Sequence, residues 1–600
     1  MILETIDHLS DRVFRWAESA RIFARVSEHH TRVASRRRKP RGRRDFYRSV
    51  LRWQEEGSVF RAERWMFERL LSARTSDIGA LLLTFGGVGL LGNWFYRQKS
   101  PLSFEILLPM ICILLAPILL NSSRTISHSI RKSVILRWFL FEFCGIEYTT
   151  FFPKRRIRPQ RKTFFAVGCL VGLLSVWVSP VFFALAVLGG LLLALLSAVP
   201  EPAYCCVLFL LPFLGLAPHP TRTLTILLAI CLALCLGKTL SGKRQGEWEP
   251  IDGLVLWITG LFLLGSVVTY GSFFEGALRA FLLFASWFPF RVLFCNSVWR
   301  RRACLSLTLS SFVCAIGGVV EYFLGRAVLG WVDVSRFGDI GGRVCGFFGN
   351  PNLFAIFLLL TTPLTLRWML GQKSMVGRVF SSVVFLTQSL CMILTWSRGG
   401  WLGWMFSVAV FLILCNRRTL SALIALFVCG FGLVFYLPEN VLNRFGSIAS
   451  TTDSSVHYRL NTWRGVCRML FEHPFGIGSG ESAFRTAFPR YAVSGTETVM
   501  HAHQIFLEVA VEIGVVGLIL FLLVLWHLFA RVVRFCRRHS EGEKRTEGVC
   551  LAATLTGALM MGLFDSLWYH GGLYWLFWSI AAMLVNVTQE AFYEREIYRV

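Results

Sequence analysis

The stretch GRVFSSVVFLTQSLCMILTWSRGGWLGWMFSVAVFLILCNRR, Gly377 to Arg418, decides the reading of the fold. Two apolar runs, 378–395 and 400–415, flank the motif Ser397-Arg398-Gly399-Gly400, and basic residues close both outer ends. A helix rises about 1.5 Å per residue, so runs of this length cross, or nearly cross, about 30 Å of hydrocarbon. They predict two membrane-spanning helices joined at a membrane boundary. A guanidinium there is costly unless it meets an anion, faces water or snorkels to the headgroups, and a boundary arginine that only anchors a helix is the plain alternative. Gly399 and Gly400 let a second backbone or a ligand come close.

The same pattern repeats along the chain. Of 600 residues, 54% are hydrophobic and 16% charged, with mean hydropathy +0.56; soluble domains carry about one quarter charged residues. Windows near 78–96, 102–120, 163–178, 181–199, 203–217, 222–237, 251–270, 276–296, 303–325, 353–370, 378–395, 400–415, 419–437, 504–530, 548–565 and 570–587 predict roughly sixteen transmembrane helices. The expected fold is an all-α, polytopic membrane bundle with one large extracytoplasmic loop, 438–502.

The net charge of +26 lies in short basic blocks between apolar runs, which orients helices in a bilayer and argues against a nucleic-acid partner. With the N-terminus in the cytoplasm, alternate connections such as KRRIRPQRK, SVWRRR and RVVRFCRRHSEGEKR all fall inside. The C-terminus is then cytoplasmic too. Outside fall GGRVCGFFGNPN, SRGG, the segment 439–500 and HAHQ. Seventeen cysteines lie mostly in apolar runs without a CxxC pair, so neither a disulfide framework nor a zinc site is expected.

Four regions follow: a basic segment 1–76, N-terminal transmembrane helices 77–330, a candidate catalytic region 331–530, and C-terminal helices with a tail, 531–600. The first has no apolar core and cleavage site of a signal peptide. Its arginines alternate with aromatic and aliphatic residues at helical spacing, so it either lies on the cytoplasmic leaflet or is a solvated linker.

The outer stretches carry the chemistry. Asn350 is placed to cap a helix opened by Pro351, whose free N–H groups attract anions; Asn352 and Arg343 stand beside it as further ligand-binding candidates. The piece YRLNTWRGVCRMLFEHP is helical in pattern, with Arg459, Arg464 and Arg468 about one turn apart. GIGSGES after it lacks the strand context and lysine of a phosphate loop. Long ordered loops often act as lids. His501 and His503 are spaced i, i+2 and face one pocket only if the backbone is extended there. A neutral imidazole suits proton removal near neutral pH, and a structural histidine is the ordinary alternative. No cysteine or carboxylate stands at metal-ligand spacing, so no metal and no cofactor are expected. Glu508 and Glu512 share one face of a membrane helix and need a partner, expected to be an arginine of a neighbouring helix.

RVCGFFGNPN, WSRGGWLG, W…HPFGIGSGESAF and HAHQIFLEVAVEIGVVGLI, in this order across residues 340–520, resemble the O-antigen ligase and polymerase superfamily of bacterial envelope glycosyltransferases. The resemblance implies a metal-independent, inverting transfer of a glycan from undecaprenyl diphosphate to a hydroxyl of a glycan or lipid acceptor, on the outer face of the cytoplasmic membrane. It puts the family's histidine on His503, its boundary arginine on Arg398, and a second diphosphate-contacting arginine on Arg343. His501, Asn350, Asn352, Arg459 and Arg464 join them as donor or acceptor contacts. The extra spans, the segment 1–76 and Gln504 in place of a common asparagine depart from the pattern. Two other classes compete: a transporter of a bicarbonate-like anion, against which no internal repeat is visible, and a non-catalytic protein of envelope assembly.

Overall fold

The computed structural model describes residues 65, 68–96, 104–137, 160–175, 177, 199–240, 248–268, 273–325, 342–415, 454–493, 495–538 and 542–597. Among these residues every regular element is a helix. Nine of the helices are long and apolar enough to cross a membrane, and three shorter apolar helices accompany them. The windows 181–199 and 419–437 lie outside the described residues, as do 438–453 and most of 1–76. Each remaining window coincides with a helix.

The chain divides into two units, Arg38–Ala203 with Leu240–Gly242 in one and Tyr204–Thr239 with Lys243 onward in the other. In the first, α1 (Thr75–Leu91) packs against both α2 (Phe104–Leu120) and α3 (Arg161–Leu174). Small residues allow this approach: a Cβ added at Gly168 would stand 2.0 Å from the Thr84 hydroxyl. Lipid tails are as apolar as leucine, so close packing and polar contacts, more than water exclusion, hold membrane helices together.

The second unit contains α4 (Phe273–Leu293), α5 (Ser297–Phe323), α6 (Pro351–Leu370), α7 (Met375–Leu394), α8 (Arg398–Cys415), α9 (Ser454–Glu472), α10 (Ile505–Arg538), α11 (Glu543–Gly562) and α12 (Gly571–Ile597). α12 is its central rod: 94% of its apolar window is buried, against 28% for α7, whose free face is left for lipid. α6 packs on α5, α7, α8 and α11, and it is apolar on all sides, as a helix surrounded by others must be. α8 and α11 meet through small residues, with the Ser407 hydroxyl donating to the Ala553 carbonyl at 2.8 Å. A Cβ at Gly403 would lie 2.7 Å from the Gly557 carbonyl oxygen.

Where a single span 504–530 was expected, α10 is two helices joined at a kink: Ile513 has φ −127° and Gly514 φ +74°. The break is filled by His473–Ser479. Ile477 N–H donates to the Val511 carbonyl at 2.8 Å, and Val515 N–H to the Pro474 carbonyl at 2.9 Å. The loop thereby satisfies backbone groups that the kink strips of helical partners. Glycine is required on both sides. Gly476 and Gly514 both have positive φ, and a Cβ at Gly476 would lie 2.7 Å from the Gly514 nitrogen. Gly476 of GIGSGES therefore serves docking against the kink.

Val466 and Met469 of α9 share a core with Phe484, Phe488 and Tyr491 of the segment after it, continuous with Val511 of α10. Glu512 finds the expected arginine: Arg279 of α4 lies 3.4 Å away and also donates to the Trp568 carbonyl. Glu508 instead accepts the backbone N–H of Ala502 at 2.7 Å.

Candidate active site

Three chain segments converge at one end of the bundle. In the first, Glu321, at the end of α5, accepts the N–H groups of Cys345 and Gly346 at 3.1 and 2.9 Å. This holds the residues that precede α6. Asn350 caps α6 as its sequence predicts, its Oδ1 accepting Asn352 N–H at 2.8 Å, with Pro351 at the first helical position. Arg343 is thereby buried, 7% exposed, with its Nε donating to the Thr395 carbonyl at 2.8 Å and its NH2 to Asn352 Oδ1 at 2.9 Å.

The second segment is the turn WSRGG. Trp396 adopts φ +51°, an unusual conformation for a bulky side chain. It lies in the three-residue connection, Thr395 to Ser397, between α7 and α8. Ser397 then caps α8 by accepting the N–H of Gly400 at 3.3 Å, while its hydroxyl donates to Asn352 Oδ1 at 3.0 Å. A Cβ at Gly400 would lie 2.9 Å from that of Ala355, so the first turn of α8 presses on α6. Arg398 opens α8 beside them.

The third segment is HAHQ. The Ala502 carbonyl accepts the indole N–H of Trp463 at 3.0 Å, and the Gln504 side chain accepts Leu507 N–H at 2.6 Å, so Gln504 caps α10. The two histidine rings do meet, at 4.0 Å between centroids and edge to face, but not through extended backbone as expected. His503 has φ +50°, a left-handed turn that folds its ring back toward His501. Local strain of this kind costs about 1–3 kcal/mol and persists where surrounding contacts enforce it.

A fourth contributor was not singled out in the sequence. Asp565, just beyond α11, stands 3.3 Å from His503 Nδ1 through Oδ1 and accepts Asn352 Nδ2–H through Oδ2 at 2.8 Å. A signal existed, for Asp565 is the sole acidic residue between 548 and 589, and a lone carboxylate at the end of an apolar run needs a reason.

Arg343, Asn352, Ser397, Arg398, Arg459 and Asp565 line one cleft. Among its lining residues are three arginines and one acid. Burial alone would raise the Asp565 pKa, but the His503 hydrogen bond and the charges of His503, Arg459 and His501 win and hold it well below the usual carboxylate range. It is ionised at neutral pH. Burial, with the charges of His503 and Arg279, lowers His501 to about 3, and burial with Arg279 lowers His570 to about 4. Both are neutral imidazoles at pH 7. Ligand atoms of His501, His503 and Asp565 lie within 4.8 Å of one another, close enough for the three to hold a metal ion. Asn350 contributes as the cap of α6. Arg464 is exposed on α9, bonded to Asn461 at 3.3 Å, five residues from Arg459 and outside the lining of the cleft.

A multi-pass membrane protein with a cationic cleft and a His–Asp pair at one end of its bundle is the class defined by this geometry. Residues 383–522 match the family described as O-Antigen ligase, Wzy_C. The match covers Arg398, Arg459, Arg464, His501 and His503, whereas Arg343, Asn350, Asn352 and Asp565 lie beyond it and enter the site through the fold. The chain is also 23% identical over 264 residues to the teichuronic acid biosynthesis protein TuaE of Bacillus subtilis (strain 168), covering 41% of this chain and 52% of that protein. The chain thus spans about half the length of the curated relative it matches. The similarity to the O-antigen ligase superfamily and the apolar helices together describe a multi-pass bacterial membrane protein.

Proposed function

We propose that this protein is a glycosyltransferase of cell-surface polysaccharide assembly, moving a glycan from undecaprenyl diphosphate to an acceptor hydroxyl at the outer face of the cytoplasmic membrane. The observation that carries the reading is the joining of Arg343, Arg398 and Arg459 in one cleft with Asp565, which also holds His503. The arginines receive the donor diphosphate, and their fixed charges stabilise the charge that grows on it as the glycosidic bond breaks. His503 takes the proton of the acceptor hydroxyl as its oxygen bonds to the anomeric carbon from the opposite face. The electron pair of the broken C–O bond leaves on the diphosphate, and the configuration inverts. Asp565 accepts from His503 Nδ1–H, which leaves Nε2 as the basic nitrogen. The segment after α9 covers the acceptor and limits hydrolysis. In this reading both termini and the end of the bundle at Arg300 and Arg367 are cytoplasmic, in keeping with the basic connections there, and the chain crosses the membrane about sixteen times.

The test incubates purified protein in a bilayer with a lipid diphosphate glycan and an acceptor. A longer lipid-linked chain identifies polymerisation, and a new conjugate identifies ligation. Absence of any glycan product, with anion flux across the bilayer in its place, overturns the reading in favour of transport.

A further inference from the structure

A second cavity, of about 450 Å³, lies at the opposite end of the same unit. α6 and α11 run between the two sites: Pro351 and Gly562 are at the His503 end, while Leu370 and Glu543 are at the other. At 20 residues each, they separate the sites by about 30 Å, one hydrocarbon thickness.

The lining has two characters. Its rim is cationic, with Arg301, Arg302 and Arg367 against one lining carboxylate, Glu543. Arg301 pairs with Glu543 at 2.9 Å, both largely exposed, Arg302 lies over the Trp299 ring at 4.6 Å, and Arg367 shares Glu547 with buried Arg300. Its wall is apolar, from Leu305, Leu364 and Trp368. Deeper along α5, seven residues or about 10 Å from Arg301, stands Thr308. It lines the cavity at 1% exposure, and its hydroxyl is buried without a hydrogen-bond partner. An orphaned hydroxyl costs about 1–3 kcal/mol, so a ligand acceptor is the expected remedy.

We propose that this cavity binds an acidic phospholipid of the leaflet at that end. The phosphate sits among Arg301, Arg302 and Arg367, the ester carbonyl beneath it accepts from Thr308, and the acyl chain follows the Leu305–Trp368 wall. A soluble anion suits the rim but leaves the wall and the hydroxyl unused; a neutral phospholipid suits the wall but brings no net negative charge to a rim that, among the described residues, holds three arginines and one carboxylate. Basic pockets between helices at a membrane boundary are suited to such headgroups.

The proposal concerns binding alone and stands whether or not the transfer reading does. Full-length protein in a neutral detergent is titrated with phosphatidylglycerol, phosphatidylcholine and free glycerol 3-phosphate, with retained lipid read by native mass spectrometry and Tm by unfolding. Phosphatidylglycerol is expected to be retained over phosphatidylcholine and to raise Tm, with little shift from glycerol 3-phosphate. The double variant Arg301→Gln/Arg302→Gln, at exposed or half-exposed positions, is expected to lose about five-fold in affinity per arginine. Thr308→Val, which preserves shape, is expected to lose less, and Thr308→Ser to retain binding. Equal retention of the two lipids, unchanged affinity in the double variant, or an equal Tm shift from glycerol 3-phosphate overturns the proposal; the last result marks a site for a soluble anion.

Discussion

The buried arginines at the two ends of the bundle keep different company. At one end Arg300, with no exposure, is locked between Glu547 at 3.0 Å and Glu590 at 2.5 Å, Arg367 reaches Glu547 at 3.3 Å, and Lys544 reaches Glu590 at 3.1 Å. These pairs tie α5, α6, α11 and α12 together. At the other end three arginines line a cleft with one acid, and that acid is already engaged by His503 and Asn352. Taking a charge out of water costs several kcal/mol unless an opposite charge meets it. At the first end the buried guanidinium groups of Arg300 and Arg367 meet that cost on Glu547 and Glu590, with Arg301 and Arg302 outside this lock at the cavity rim; at the second, Arg343, Arg398 and Arg459 face a common cleft with Asp565. The same residue type, read only from its depth in the sequence, does not tell these ends apart.

The contrast breaks most readily by removing arginine or carboxylate from each end in turn. Arg398→Ala is expected to lower transfer at least about 10³-fold with protein abundance and Tm unchanged, and His503→Ala to lower it by about 10²- to 10⁴-fold. Product formation from a lipid diphosphate glycan checks both, and full activity in Arg398→Ala removes the diphosphate role. Glu547→Ala at the other end is expected to do the reverse. It takes from Arg367 its carboxylate partner, leaves Arg300 with Glu590 alone, and costs about 3–5 kcal/mol of stability, seen as lost folded yield, while the protein that does fold keeps its rate per molecule.

These outcomes bear on how much was legible in the chain. Helix positions were, because an apolar run of bilayer length has few other fates. Arg398 was, because a charge between two such runs stands out, and so was the cap at Asn350, a local device set by neighbouring residues. Asp565 was not singled out, since its partners Asn352 and His503 are 213 and 62 residues away. Long-range pairing of this kind is decided by which helices pack, and periodicity carries no record of that. The kink at Gly514 was equally hidden: IGVVG reads as an unbroken span until His473–Ser479 is seen to occupy the break. His503 was singled out for its residue type, yet its left-handed backbone follows Ala502, which Trp463 and Glu508 hold in place.

Smaller effects sharpen the picture at the cleft itself. Asp565→Asn preserves shape but removes the charge beside His503; transfer is expected to fall about 10²-fold, with a larger loss in kcat than in KM, because the acid acts through the base. An equal loss at both parameters, or none, separates Asp565 from His503. Gly476→Ala is expected to cost about 1–3 kcal/mol locally, since its φ of +88° disfavours a side chain and the new Cβ meets Gly514. Hydrogen exchange at Ile477 and Val515 should quicken while distant helices stay protected, with transfer falling less than in Asp565→Asn. Unchanged exchange at those two amides separates the loop from the kink.

The smallest expected effect decides between two uses of the same three side chains. His501, His503 and Asp565 are close enough to hold a divalent ion, and His501, lowered to about 3 by burial and neighbouring cations, offers a neutral ring nitrogen at any pH above that value. If charge stabilisation rests on the arginines, a metal at the trio is unnecessary, and occupying His503 with one would remove its base. Chelation with EDTA is therefore expected to leave the transfer rate unchanged, and His501→Gln to change it only a few-fold, as for a neighbour that packs against the base. Loss of activity on chelation, restored by one divalent metal and abolished by His501→Gln, would move the trio from proton transfer to metal binding. The arginines would then share the donor diphosphate with a cation, and the difference between the two ends of the bundle would narrow to one of exposure.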